Sequence, residues 1–267
     1  MNGLIFLYGI FFLATPKFNQ APDVFVKIGS KDSLYSKILD EKRELVISLP
    51  AGYDTSGKNY PVLYLLDGTE NNLIDARLVT YNLRTEMIIV AITNTDRNRD
   101  MMPLSAASYQ VRNPGAKNFL AFLEKELLPY VENKYRSNGE RTIRGRSLSG
   151  LFVMYAFLEN PFLFDNYIGN CAGWFADMNF YFDDLIIKSF ENKNQFHGQK
   201  IFIANSLTDP EDPNQEIHHS IVDFSKRVHS ELGERISFKY ATYDNAGHVP
   251  YAGFYDGLKY IMKKEEQ

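Results

Sequence analysis

A serine in a tight, glycine-flanked segment is the residue of this chain best placed to act as a nucleophile. Ser147 lies in the run Gly145-Arg146-Ser147-Leu148-Ser149, which approximates the pattern G-x-S-x-G. That pattern needs small residues two positions on either side of its serine, because the backbone turns sharply from a strand into a helix. Gly145 fills the first position, and serine replaces glycine at the second. The alternative is that Ser147 only caps a helix, as serine often does before an apolar helix.

A serine hydroxyl becomes a useful nucleophile only when a base takes its proton and a third group orients that base. His248 is the best candidate for the base, because it lies in a loop after the last predicted strand. The alternative is an ordinary surface histidine. Three acids follow the preceding strand, and we rank Asp209 first because it comes soonest, with Glu211 and Asp212 as alternatives. The order serine, acid, histidine along the chain is the one expected for this kind of nucleophile turn.

These residues are separated by short apolar strands that alternate with amphipathic helices, a pattern typical of a mostly parallel sheet covered on both faces. The predicted strands are residues 33–35, 43–49, 62–66, 87–92, 142–143, 200–204 and 236–241, and the predicted helices are residues 118–135, 151–158, 217–232 and 251–262. The first two strands are expected to pair antiparallel. Residues 62–66 and 87–92 are apolar throughout, which suits strands buried on both faces.

The composition of the chain excludes several classes of function. The chain has 267 residues, 45% of them hydrophobic, and a net charge of −4. This balance predicts a folded protein whose partner is a small molecule rather than nucleic acid, since phosphate binding needs a surplus of cations. The single cysteine, Cys171, excludes an intramolecular disulfide and a zinc site with several thiolates. No histidine pair has the spacing H-x-x-x-H, so metal catalysis is not expected. The oligomeric state is not indicated.

The N-terminus carries an apolar run at residues 4–14. It is too short to span a bilayer as a helix but fits the core of a secretory signal. We therefore predict a leader at residues 1–21, a single domain at residues 22–267, and export to the periplasm or the exterior. If the run is instead a buried strand or helix, the protein is cytoplasmic. No cysteine follows the run, so no stable membrane anchor is predicted.

Several segments together resemble one family, the esterase D-like putative esterases of the α/β-hydrolase superfamily, which include siderophore esterases of the enterobactin and salmochelin type. The resemblance covers nearly all the chain after the leader. It is carried by residues 36–39 with Arg43, 60–68, 94–103, 122–130 and the serine turn at 144–151.

The resemblance implies an α/β fold of the α/β-hydrolase type, with a central, mostly parallel sheet and helices on both faces. It also implies a serine hydrolase acting on carboxylic esters without a cofactor, with Ser147 as nucleophile and His248 as base. The amides of Leu148 and Thr69 would hold the oxyanion, a role in which two fixed N–H donors stabilise developing charge. An ordinary turn at the end of a strand is the alternative for Thr69.

The resemblance further suggests substrate-binding residues. Arg97, Arg99 and Asp100 correspond to a segment that borders the family's cleft, where arginines could bind an acidic substrate; a solvated loop is the alternative. Trp174 lies where the family often has aromatic residues near the site, with core packing as the alternative. The chain departs from the family at Arg146, which replaces histidine. An arginine there would favour negative charge near the site; pairing with an acid of the protein is the alternative.

Two other functions stay open on the sequence alone. The chain could be a carbohydrate esterase that removes acetyl or feruloyl groups from polysaccharide. It could also be a catalytically silent binding protein that keeps the fold, with Arg146 and Ser149 as signs of lost activity.

Overall fold

The structure of this protein is a computed structural model that describes residues 25–107 and 111–263. The predicted leader, residues 1–21, lies outside the described residues. No helix in the described part of the chain is long and apolar enough to cross a membrane.

One sheet of eight strands forms the centre of the described structure, in the order β1-β2-β4-β3-β5-β6-β7-β8. The strands are β1 (Ser30–Ser36), β2 (Glu41–Ser48), β3 (Tyr60–Leu65), β4 (Ile88–Ile92), β5 (Ser137–Arg146), β6 (Asn166–Asn170), β7 (Lys200–Ser206) and β8 (Ser237–Tyr243). Strands β3 to β8 run parallel to one another, whereas β2 runs antiparallel to both β1 and β4. The predictions of a mostly parallel sheet and of an antiparallel first pair are confirmed.

Helices cover both faces of this sheet, as expected. They are α1 (Tyr53–Ser56), α2 (Glu70–Asn82), α3 (Arg97–Met101), α4 (Ala116–Phe122), α5 (Leu128–Lys134), α6 (Leu148–Glu159), α7 (Asn179–Glu191), α8 (Glu216–Glu231) and α9 (Tyr251–Ile261). On one face, α2 and α9 pack their apolar side chains against β3, β4 and β6. On the other face lie α4 to α8, and α6 at its centre is buried from Leu148 to Leu158.

The predicted helix at residues 118–135 is observed as three joined pieces. A π-helical turn, Leu123–Leu127, connects α4 to α5. Pro129 explains the turn, because proline has no N–H and its ring collides with the carbonyl four residues earlier in a regular helix. A π turn shifts the hydrogen-bond pattern by one residue, and the N–H of Leu128 accordingly donates to Leu123 O.

Five elements were missed by the sequence analysis: strand β6 and the helices α1, α2, α3 and α7. Strand β6 begins and ends with asparagine and contains Gly169, so it lacks the apolar run that marked its neighbours, although all five residues are buried. Helix α2 has almost no amphipathic pattern, because Ile74 and Leu78 lie on its exposed side.

The order of the strands creates a crevice beside β3. The chain passes from β3 to β4 on one side and returns to β5 on the other. Ligands bind at such reversal points, outside the carboxyl ends of parallel strands. Asp67 follows β3 and Ser147 follows β5, so both lie at the edge of the sheet where a site is expected.

Asp32 fastens β1 to the helical face, and its charge makes stability depend on pH. Its carboxylate accepts hydrogen bonds from Lys134 Nζ (2.8 Å), Tyr130 Oη (2.8 Å) and Tyr135 Oη (2.7 Å). Burial opposes the charged form, but these donors outweigh it and lower the pKa of Asp32 from 3.8 to about 2. A carboxyl with a depressed pKa stabilises the fold above its unfolded-state pKa and loses that contribution as pH falls through the folded-state value.

We therefore expect Asp32→Asn to lower the melting temperature at pH 7. The difference in melting temperature between the variant and the parent should narrow as the pH falls from about 4 to about 2. Thermal unfolding followed by circular dichroism across that range measures the gap. Asp184→Asn is the matched control, since Asp184 pairs with Lys188 on an exposed surface and should change the melting temperature little at any pH. A gap of equal size at pH 2 and pH 7 would contradict the account.

Candidate active site

The turn between β5 and α6 holds Ser147 in a strained backbone conformation. Its φ is 52° and its ψ is −128°, values that a residue with a side chain rarely adopts. The turn is so tight that a Cβ on Gly145 would lie 2.1 Å from the carbonyl oxygen of Ser149. Glycine is therefore required before the serine. This geometry presents the Ser147 side chain at the start of α6.

Ser147, His248 and Asp209 lie in a row at the carboxyl edge of the sheet. Ser147 Oγ is 2.8 Å from His248 Nε2, and His248 Nδ1 is 2.7 Å from Asp209 Oδ2. The three residues follow β5, β8 and β7 respectively, and these parallel strands end at the same edge of the sheet. The side chain of Asp209 is 1% exposed and that of His248 is 21% exposed, so the acid is shielded from water behind the imidazole.

The other two candidate acids occupy different positions. Glu211 is 67% exposed, and its Oε2 lies 3.5 Å from His248 Nε2, on the side that faces Ser147. Asp212 points into the first turn of α8, where it accepts the backbone N–H groups of Glu216 (2.7 Å) and Ile217 (3.0 Å). Of the three carboxylates, Asp209 is the one that contacts Nδ1.

A cleft of about 640 Å³ opens above this row. It is lined by residues at or after the ends of five strands, namely Asp67, Thr69, Asn72, Asn94, Arg97, Arg146, Ser147, Glu211, His248 and Val249. The walls are mostly polar and charged, which suits a polar small molecule better than a long acyl chain.

The Asp67 carboxylate forms hydrogen bonds with three other residues at the floor of the cleft. Its carboxylate binds Arg97 through two hydrogen bonds of 2.7 and 2.9 Å, and it also accepts from Asn94 Nδ2 (2.7 Å) and Ser149 Oγ (2.7 Å). Burial alone would raise the pKa of Asp67, but the hydrogen bonds and charge of Arg97, with those from Asn94 and Ser149, lower it. The carboxylate is therefore ionised at neutral pH, and it neutralises Arg97.

The same contacts explain why serine replaces glycine at position 149. Ser149 is fully buried, and its Oγ accepts the N–H of Arg146 (2.8 Å) while it donates to Asp67. The hydroxyl thus links the turn after β5 to the turn after β3. The substitution adds a brace to the site and leaves the serine turn intact.

The two candidate oxyanion amides differ in their surroundings. Leu148 is the first residue of α6, and the first N–H groups of a helix have no acceptor within the helix. Thr69 lines the cleft, but its N–H donates to Asp67 O at 2.7 Å, and its side chain caps α2. The N–H of Thr69 therefore already has an acceptor.

Arg146 is the cleft cation whose charge is not already paired. It is exposed beside Ser147, and its guanidinium makes no hydrogen bond or ion pair with the residues that the structure describes. Arg97, in contrast, gives its two strongest hydrogen bonds to Asp67. Glu211 supplies a negative charge to the same cleft.

The comparisons with known proteins agree with this architecture. The family model described as Putative esterase matches residues 36–246. The chain belongs to this family. The ferri-bacillibactin esterase BesA of Bacillus subtilis (strain 168) is 33% identical over an alignment of 133 residues, and the match covers 41% of this chain and 46% of BesA. The match therefore spans less than half the length of that curated relative.

Solved structures of similar shape support the fold. An IroE-like serine hydrolase from Shewanella oneidensis has a TM-score of 0.75 at 27% identity, covering 87% of this chain and 79% of its own. The siderophore hydrolase EstA from Aspergillus nidulans has a TM-score of 0.75 at 18% identity, covering 92% and 98% of the two chains, and shows the fold alone. The α/β-hydrolase fold is thus confirmed for this member of the Putative esterase family.

Two residues that the family resemblance assigned to the cleft, Arg99 and Asp100, are not brought there. Asp100 is 1% exposed, and its carboxylate binds the buried Arg43 at 2.6 Å. Arg99 binds Asp100 and Glu41, at 2.7 and 2.8 Å. The two residues belong to an ion-pair network that fastens α3 to β2, because α3 turns this side of the segment towards the sheet and only Arg97 towards the cleft.

Trp174 also lies away from the cleft. It is 4% exposed, its ring stacks on Phe182 at a centroid distance of 4.3 Å, and its Nε1–H donates to Asn179 Oδ1 at 3.0 Å. Core packing, the alternative reading of this residue, describes its environment.

Asp67 and Asn94 are cleft residues that the sequence analysis did not single out. Both come just after a buried strand, β3 and β4 respectively. The rule that located Asp209 and His248, polar residues directly after parallel strands, would have located these two as well.

One set of three possible metal ligands occurs among the described residues: Cys171, Asp209 and His248. Cys171 is 2% exposed, and its thiol donates to the carbonyl oxygen of His248. Burial raises the pKa of Cys171 to about 12, so the thiol is protonated at neutral pH, the form in which it is a poor nucleophile.

Proposed function

We propose that this protein is a serine esterase that cleaves a small acidic ester, of the siderophore type, through an acyl-enzyme on Ser147. The observation that carries the proposal is the row formed by Ser147 Oγ, the His248 imidazole and the Asp209 carboxylate, with hydrogen bonds of 2.8 and 2.7 Å. Membership of the Putative esterase family supports the reaction class.

The imidazole takes the proton of the serine in the first step. Asp209 accepts the Nδ1–H of His248, which leaves the lone pair of Nε2 free to accept the proton of Ser147 Oγ. The oxygen then attacks the ester carbonyl. The imidazolium that forms is stabilised by the buried charge of Asp209, and it returns the proton to the departing alcohol.

Backbone donors hold the negative oxygen of the tetrahedral intermediate. The N–H of Leu148 supplies one hydrogen bond, and the N-terminal end of α6 adds a partial positive charge. Thr69 supplies a second after its N–H leaves the carbonyl of Asp67. Each such donor typically lowers the barrier by about 3 kcal/mol. Water then attacks the acyl-enzyme, with His248 again as the base, and no cofactor takes part.

Charge in the cleft favours an acidic substrate. Arg146 stands beside Ser147 with its guanidinium unpaired, and a carboxylate or catecholate oxygen is the kind of group that pairs with it. The sequence similarity to a ferri-bacillibactin esterase supports an ester of this chemistry, since that protein is named for a siderophore ester.

The proposal is tested with a fluorophosphonate probe and a panel of esters. Covalent labelling and turnover of 4-nitrophenyl butyrate are expected, and a silent binding protein of the same fold would give neither. A ferric catecholate trilactone is then compared with acetylated and feruloylated xylan. Faster release from the polysaccharides would replace the siderophore-type substrate with a carbohydrate ester.

We expect Arg146→Glu to reduce kcat/KM about tenfold for the 4-nitrophenyl monoester of succinate and to leave the butyrate ester nearly unchanged. The reversal replaces an attraction of about 0.7 kcal/mol with an equal repulsion, which together amount to tenfold. The difference should shrink in 1 M salt. Arg84→Glu is the matched control, because Arg84 is exposed after α2 at the opposite edge of the sheet. Equal losses for both esters would mean that Arg146 supports the turn rather than binding the substrate.

A further inference from the structure

A sulfur atom lies directly behind the imidazole of the proposed active site. Cys171 follows β6, and its φ of 50° holds it in a left-handed conformation between the ends of β6 and β7. Its N–H donates to Ala204 O at 2.7 Å, and its thiol donates to the carbonyl oxygen of His248. The esterase mechanism does not use this group.

Three different ligand types meet at this position. The Sγ of Cys171, a carboxylate oxygen of Asp209 and an imidazole nitrogen of His248 all lie within 4.8 Å of one another. Thiolate and imidazole together select Zn²⁺ and softer cations, whereas Mg²⁺ and Ca²⁺ prefer oxygen ligands alone. In tetrahedral coordination the ligand atoms of one zinc ion lie about 3.3 to 3.8 Å apart, so movements of about 1 Å would close the site.

The charged groups around the thiol of Cys171 favour the binding of a cation. The side chains that interact electrostatically with this thiol are the carboxylates of Asp209, Asp212 and Glu211. Asp212 is 4% exposed and held by the N-terminus of α8, so its charge stays fixed near the sulfur. A divalent cation at this position would relieve the repulsion among the three carboxylates.

We propose that Cys171, Asp209 and His248 form an inhibitory site for a thiophilic divalent cation, Zn²⁺ or Cd²⁺. The metal takes Sγ, an oxygen of Asp209 and Nδ1 of His248, with water completing the coordination. The thiol releases its proton to solvent when the metal binds. The imidazole stays neutral, but its one proton now resides on Nε2. That nitrogen can no longer accept the proton of Ser147, so hydrolysis stops without any redox change.

The inhibition rests on the proposed esterase function, but the binding does not. Cd²⁺ bound to a thiolate gives an ultraviolet charge-transfer band, and Cys171 is the only cysteine of the chain, so the band reports on this site alone. We expect one equivalent of Cd²⁺ to produce the band in the purified protein. Zn²⁺ should displace it, Mg²⁺ should not, and turnover of 4-nitrophenyl butyrate should fall in parallel and return with EDTA.

Cys171→Ser is the matched variant, because its hydroxyl can still donate to the carbonyl of His248 while the soft ligand is lost. It should keep the esterase activity, show no band, and need at least about tenfold more Zn²⁺ for half inhibition. A parent protein without the band would overturn the proposal, as would a variant inhibited at the same Zn²⁺ concentration. If Cys171→Ser is unstable, the presence or absence of the Cd²⁺ charge-transfer band in the parent protein tests the metal site by itself. If the protein shows the Cd²⁺ charge-transfer band but hydrolyses no ester, the metal site would be supported and the proposed esterase function refuted.

Discussion

Replacing Ser147 with alanine is expected to lower kcat for 4-nitrophenyl butyrate by about 10⁶-fold, the loss typical of removing a serine nucleophile. The reason is that Ser147 carries the hydroxyl that contacts His248 Nε2, and the thiol of Cys171 behind the imidazole is buried and protonated. Burst-phase and steady-state release of 4-nitrophenol measure the effect. Labelling by a fluorophosphonate should disappear in the same variant.

The fold should survive this change, which makes the experiment decisive. The hydroxyl of Ser147 contacts the partly exposed His248, and the backbone strain of the turn is the same for alanine. An unchanged melting temperature therefore accompanies the expected loss. Ser230→Ala serves as the control, because Ser230 is an exposed serine on α8 that should retain full activity. Activity of Ser147→Ala within tenfold of the parent would refute the nucleophile assignment.

The positions of Ser147, Asp209 and His248 could be inferred because parallel strands impose a strong rule. All carboxyl ends of such strands meet at one edge, so polar residues directly after them converge whatever their separation in the chain. The sequence ranked Asp209 above Glu211 and Asp212 only by its position after the strand, and it could not decide among the three. They lie within four residues, and their directions depend on the turn after β7, in which one carboxylate faces the imidazole and another caps α8.

Roles that depend on distant partners were not predictable in the same way. Asp100 is buried because Arg43, 57 residues earlier, brings a charge to it through β2. Nothing in the segment around Asp100 indicates that partner. The brace between Ser149 and Asp67 spans 82 residues and could not be inferred either. In the sequence, Ser149 was visible only as a departure from a family pattern.

The sheet itself was mostly predictable, since strands such as β3 and β4 are continuously apolar. Strand β6 was not, although it is equally buried. Its Asn166 bonds to Thr142 Oγ1 and its Asn170 bonds to the carbonyl of Pro250, at 3.2 Å each. Polar residues can therefore occupy the interior when neighbouring strands and loops offer hydrogen-bond partners, and periodicity alone does not reveal that.

Asp209→Asn is expected to reduce kcat about 10⁴-fold, by the loss of the correct imidazole tautomer. An asparagine amide can donate to Nδ1, which would leave the ring proton on Nε2 and block acceptance of the Ser147 proton. Asp209 is the acid for which this applies, because its Oδ2 contacts Nδ1 at 2.7 Å and its side chain is shielded from water. The measurement is kcat and KM for 4-nitrophenyl butyrate, with KM expected to change little.

Glu211→Gln and Asp212→Asn are matched controls in the same loop. Glu211 faces Nε2 at 3.5 Å from an exposed position, and an exposed charge pair contributes at most about 1 kcal/mol, so its loss should change kcat by about fivefold or less. Asp212→Asn keeps one of the two acceptor oxygens at the start of α8 and leaves the contact between Asp209 and His248 in place, so it should preserve activity. If Glu211→Gln instead causes the 10⁴-fold loss while Asp209→Asn remains active, the imidazole swings towards Glu211 during turnover. The contact with Asp209 would then be a structural hydrogen bond that holds the loops after β7 and β8 together.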